Sequence, residues 1–185
     1  MLTPIPNFVS KSPGMMIKAD KIKKLSSILD KGDAVLITEA VRLLREEEPF
    51  EGVVGLLAAH YDKNSGVMVN KAIESFMNDL KDKSLRAEVI KEIKTNHKPE
   101  TTTMLVSSCW QSGLDYSSFC TDFTDVFLNG GYGVALECMT VIEESIPLLT
   151  IKEKKAIASK LRNGATEETG PKKVLALDLI SILGE

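Results

Sequence analysis

Residues 98–130 read KPETTTMLVSSCWQSGLDYSSFCTDFTDVFLNG, and this stretch decides the fold. Pro99 suits the first position of a helix, because the N–H it lacks would have no intrahelical partner there. Gly113 is placed to end that helix. Asp115, Ser117 and Ser118 compete to cap a second one, which Asn129, Gly130 and Gly131 close. The stretch is one helix, a tight turn and a second helix within 33 residues.

Cut at that interval, the chain gives blocks starting at Gly32, Ser65, Lys98 and Gly131, and self-similarity at such a period marks stacked supersecondary units. The fifth position holds Leu36, Val69, Thr102 and Ala135, the ninth Ala40, Ile73, Val106 and Met139, and the twelfth Leu43, Phe76, Cys109 and Ile142. Steps of four and three put these on one helix face. In the second half the twenty-sixth position holds Leu57, Ile90, Phe123 and Ala156. The last block is displaced by about one residue, so that Ile157 and Leu161 carry its stripe.

The rest of the chain is read from these blocks. Residues 1–16 hold three prolines and little periodicity, which predicts an N-terminal arm. Ile22, Leu25, Ile28 and Leu29 predict a helix over 18–30, with Gly32 as its stop. Asp33 is the expected cap of a helix reaching about Glu46, and after the break EEEPF a further helix should run from Phe50 to Tyr61. Ser84 and Thr150 are the expected caps of SLRAEVIKEIKT and TIKEKKAIASKLRNG, the latter stopping at Gly164. Past a linker at 164–170, Pro171 opens KKVLALDLISIL, a helix apolar on nearly every side and therefore expected to be buried. It should cap the C-terminal end of the stack or, alternatively, join two chains as a homodimer through residues 171–183.

Antiparallel helix pairs of 33 residues with no strand signal between them resemble the HEAT and armadillo class of repeat proteins, over about residues 32–163. The tetratricopeptide pattern of Trp, Leu, Gly and Tyr is missing, as is the ankyrin TPLHxA. The resemblance implies an all-α fold, an α-solenoid superhelix of four antiparallel pairs at 32–64, 65–97, 98–130 and 131–163 with terminal capping helices, forming one domain over 17–185. It also implies a curved surface that holds another molecule.

With 43% hydrophobic and 26% charged residues in 185, the composition is that of an ordinary globular domain. A net charge of −3 argues against a general nucleic-acid binder, whose affinity comes largely from neutralising phosphates. Cys109, Cys120 and Cys138 form an odd set without CxxC spacing, and His60 and His97 are isolated. Neither a disulfide framework nor a metal site follows, and no cofactor is implied. The first sixteen residues lack a basic start, and nowhere do 18 apolar residues run together, so the reading is a cytoplasmic protein without a membrane span.

Charge is unevenly spread. No Lys or Arg occurs between Lys98 and Lys152, where an even distribution would place about six or seven. The window holds Glu100, Asp115, Asp122, Asp125, Glu137, Glu143 and Glu144, so it carries −7 and the remainder of the chain +4. It also holds six of the ten aromatic residues. Phe119, Phe123 and Phe127 recur every four residues and read as core. Trp110 and Tyr116 flank the inter-helix turn and read as surface contacts.

The expected binding set is Trp110, Asp115, Tyr116, Asp122, Asp125, Glu143 and Glu144, taking a protein or a basic peptide. In HEAT-like stacks the second helix of each pair lines the concave side, which is what the resemblance implies for Asp122 and Asp125. The two carboxylates have no histidine near them in sequence, so no catalytic residue is assigned. A different class is represented by the HEAT-like DNA glycosylases, which resemble this chain in building an enzyme on stacked helix pairs. Those need a basic groove, and the central window has no basic residue. A purely structural subunit, assembling through the last helix, is the third reading.

Overall fold

Helix starts in this chain follow the supply of partners for the first free N–H groups. In the computed structural model, which describes residues 18–63, 66–166 and 169–184, Asp33 accepts from the amides of Val35 and Leu36, both at 3.0 Å. Thr150 and Glu153 form a reciprocal capping box. The arm at 1–16 lies outside the described residues, as does part of the 164–170 linker.

Ten α-helices and no strand are found among the described residues. They are α1 (Lys18–Asp30), α2 (Ala34–Leu43), α3 (Val53–Asp62), α4 (Val67–Asn78), α5 (Arg86–Ile93), α6 (Pro99–Gln111), α7 (Cys120–Asn129), α8 (Tyr132–Ser145), α9 (Ile151–Gly164) and α10 (Pro171–Ile182). Three boundaries differ from the sequence reading. α2 ends at Leu43 and a 3-10 turn carries the chain to Glu46. α3 starts at Val53 rather than Phe50, because Gly52 stands before it at φ +95°, a left-handed conformation that breaks the helix. Ser84 is not the cap of α5; Asp82 accepts from the Ser84 amide and a 3-10 turn leads in.

The even-numbered helices lie side by side, α2 on α4, α4 on α6, α6 on α8 and α8 on α10, while α3 packs on α5 and α7 on α9. Helix α1 closes one end against α2 and α3, and α10 the other against α8 and α9. Of the stripe positions, Ala40, Val69, Ile73, Phe76, Val106, Cys109, Ala135 and Ile142 are buried, as are Leu57, Ile90 and Phe123 on the other row, whereas Leu36, Leu43, Thr102 and Met139 are only half-buried. On α9 Ala156 is exposed while Ile157 and Leu161 are buried. All three cysteines are free and buried.

Helix α10 is not buried all round. Ala176, Leu179, Ile180 and Leu183 face α8 and α9, whereas Val174 and Leu177 are each 56% exposed and Ile182 49%. Helices α8 and α9 cover one side of α10, and the apolar residues of its other side are left in solvent.

Polar contacts between helices link residues 33 to 39 positions apart in sequence. The Glu88 carboxylate of α5 accepts from the amides of Gly52 (2.9 Å) and Gly55 (3.0 Å) at the start of α3. Asp62, at the end of α3, accepts from the Lys98 amide and the Thr101 hydroxyl at the start of α6, both at 2.7 Å. A carboxylate over free N–H groups is favoured by charge-assisted bonding and by the helix dipole. Glu88→Ala would leave two part-buried donors without a partner and is expected to cost about 2 kcal/mol. Urea unfolding at unchanged m-value measures it, with Glu88→Gln falling in between.

The row of odd-numbered helices is looser at one junction. α5 and α7 approach less closely than α3 and α5 or α7 and α9. Long basic side chains span that junction: Lys94 pairs with Asp122, and Arg86 donates to the Asp115 carbonyl while its guanidinium lies 6.0 Å from the Phe119 ring centroid.

Candidate functional site

The seven residues nominated from sequence separate into three places. Trp110, Asp115, Tyr116 and Glu144 line one cavity of about 200 Å³, where the α6–α7 turn meets the end of α8. Asp122 and Asp125 lie on α7, away from it, and Glu143 sits near Asp178 of α10.

Within the cavity the two aromatics behave differently. Trp110 ends α6 with 40% of its surface exposed, and its indole N–H donates to Glu137 of α8 at 2.8 Å. Tyr116 was expected at the surface, but it is only 3% exposed. Its ring meets Phe123 edge-on with centroids 6.0 Å apart, and burial pushes its phenol above the ordinary range. The chain from Gly113, at φ +69°, turns inward at this point, so the tyrosine closes the core between α6 and α7. It is a floor rather than a contact residue.

Asp115 is occupied locally. It accepts from the Ser117 amide at 2.8 Å, and the bonds from Ser117 hold its carboxyl below the usual carboxylate range. On α7, Asp122 pairs with Lys94 at 2.7 Å and Asp125 with Lys160 at 2.6 Å. The lysine-free window therefore does not leave an uncompensated face on α7, because cations arrive from α5 and α9.

The uncompensated acid is one row over. Among the described residues, Glu74, Glu100, Glu137, Glu143 and Glu144 have no Lys or Arg at ion-pair distance. They lie on α4, α6 and α8, beside exposed Trp110, Tyr132 and Leu136. Burial first, then the charges of Glu144 and Asp178, raises the Glu143 carboxyl.

Sequence reasoning overlooked Glu137, Glu74 and Glu100 as members of one surface. The block period could have found part of it: Asn78 and Gln111, 33 residues apart, are hydrogen-bonded at 2.7 Å across α4 and α6.

No group of three or more His, Cys, Asp or Glu side chains suited to a metal ion occurs among the described residues, and none of their helices is long and apolar enough to cross a membrane. No protein-family model, no curated protein and no solved structure matches this chain.

Proposed function

We propose that the protein is a non-enzymatic helical-repeat scaffold of the HEAT or armadillo type, which binds a basic segment of a protein partner on the face formed by α6 and α8. The repeat reading is supported by side-chain bonds between units at separations of 30 to 36 residues, including Arg45–Ser75, Glu88–Gly55, Asn78–Gln111 and Lys98–Asp62. The binding reading is carried by one observation: among the described residues no Lys or Arg lies at ion-pair distance from Glu100, Glu137, Glu143 or Glu144, whereas Asp122 and Asp125 each have one.

An unpaired carboxylate row costs little in water and gains Coulomb energy and directional bonds when a cationic chain arrives. Trp110, fixed by Glu137 and half in solvent, supplies an aromatic anchor of the kind that dominates interfaces.

Anisotropy of a fluorescein-labelled peptide of four alternating Gly-Arg-Gly-Lys units tests it. Affinity should fall as salt rises past about 0.15 M, where the Debye length is about 8 Å. Glu137→Lys with Glu144→Lys should weaken it about tenfold or more, and Trp110→Ala should weaken it at all salt concentrations. Asp122→Lys with Asp125→Lys should do far less, since those carboxylates are already neutralised. If reversal on α8 has no greater effect than reversal on α7, this face is merely solvated.

A further inference from the structure

Neighbouring helices of the stack do not hold one another equally. Between α3 and α5 the part-buried Glu88 carboxylate ties the two helices through the Gly52 and Gly55 amides. Between α7 and α9 the packing is so close that a Cβ added at Gly164 would stand 2.6 Å from Leu128 Cδ1. Between α5 and α7 the approach is looser, and the links among the described residues are polar and at the surface. They are the Lys94–Asp122 ion pair, whose side chains are 54% and 31% exposed, and the Arg86 guanidinium, which reaches the Asp115 carbonyl beside the Phe119 ring.

The row of even-numbered helices is thin at the same level. α4 and α6 pack less extensively than α2 and α4 or α6 and α8, and a groove of about 500 Å³ lies between them. The polar contacts that cross this level stand at the two ends of α6. At its start Asp62 accepts from the Lys98 amide and the Thr101 hydroxyl; at its end Asn78 donates to Gln111 and the Lys81 ammonium to the Ser112 carbonyl, both at 2.7 Å. Contacts near an axis survive rotation about it, whereas contacts far from it must break. The α6 contacts are of the first kind and the Lys94 and Arg86 links are of the second.

We propose that α6 is a hinge pin about which α1–α5 and α6–α10 rotate as two bodies, with the Lys94 and Arg86 links as the latch that keeps the odd-numbered row closed. An ion pair this exposed contributes little and is screened by salt, so the closed and open forms differ little in free energy and coexist. Opening changes the curvature of the stack. The α6–α8 face lies within one body and moves as a unit, so the hinge does not depend on what that face binds.

The test is pulsed dipolar electron spin resonance on the full chain with two nitroxide pairs. Ala59→Cys with Lys155→Cys spans the odd-numbered row from α3 to α9, and Val35→Cys with Tyr132→Cys spans the even-numbered row from α2 to α8. All four positions are exposed and the native cysteines are buried. Three lateral steps of about 8–10 Å put each pair roughly 30 Å apart. A rotation of about 15° with labels about 15 Å from the pin lengthens the odd-row distance by about 4 Å, and leaves the even-row distance nearly fixed because that row lies in line with the pin. Raising salt from about 0.15 M to about 1 M, where the Debye length falls to about 3 Å, should produce that one-sided shift. Lys94→Asp should produce it at low salt, and adding Asp122→Lys should restore the short distance by exchanging the charges. Equal lengthening of both rows would mean general loosening and would overturn the hinge. An odd-row distance that holds at high salt would overturn it too, and that measurement leaves the latch residues unaltered, so it decides even if Lys94→Asp does not fold.

Discussion

Deleting residues 171–185 is expected to cost on the order of 5 kcal/mol and to lower the midpoint of thermal unfolding by roughly 10–20 °C. Leu179 and Leu183 are 0% and 4% exposed and Ile180 is 7%, so most of their side-chain surface lies against α8 and α9. A fully buried Leu or Ile contributes about 1.5–3 kcal/mol, and the deletion also opens the α8 surface they cover. Since a domain is stable by only about 5–15 kcal/mol, the truncated chain should be partly unfolded at physiological temperature. Differential scanning calorimetry measures the midpoint directly. A truncated protein melting within a few degrees of the full chain would show that α10 is not a cap, and a full-length dimer that becomes a monomer on truncation would assign its exposed Val174, Leu177 and Ile182 to an interface instead.

Phe123→Ala is the single substitution expected to do most damage, about 3–5 kcal/mol. Phe123 is 0% exposed, lies between the two helix rows in α7 and holds the Tyr116 ring edge-on. Removing the ring leaves a cavity that the α6–α7 turn cannot fill without moving Tyr116. Phe119, four residues earlier, is only partly buried and borders the Arg86 guanidinium, so Phe119→Ala should cost much less. Urea titration of the two variants side by side gives the contrast; equal losses would mean that the tyrosine, not the stripe, organises the turn.

The helical architecture was legible because it rests on local chemistry. Pro99, Asp33 and Thr150 start helices through their own backbone or side-chain geometry, and the four-and-three stripe needs no knowledge of neighbours. Two helix starts were misread: the cap before α5 is Asp82 rather than Ser84, a choice between neighbouring capping residues, and the start of α3 combines a left-handed glycine with a distant carboxylate. Gly52 begins α3 under a carboxylate from Glu88, 36 positions along, and no local pattern contains that partner. The site was less legible for the same reason. A run without lysine is visible in sequence, but Lys94 and Lys160, which neutralise Asp122 and Asp125, stand on either side of it. Tyr116 read as surface because it adjoins polar turn residues, whereas the inward bend after Gly113 is a tertiary outcome.

The three cysteines carry a practical consequence. Cys109, Cys120 and Cys138 stand on α6, α7 and α8, each at most 2% exposed, and burial pushes the Cys109 thiol up to about 12 and raises the other two as well. Alkylating reagents attack thiolate, so at neutral pH the folded chain offers them almost none. Modification must then wait for an opening event, and its rate in excess reagent becomes a clock for that event. With one thiol on each of three successive helices, the order in which masses of modified peptides appear would record where the stack first comes apart, with no engineered label.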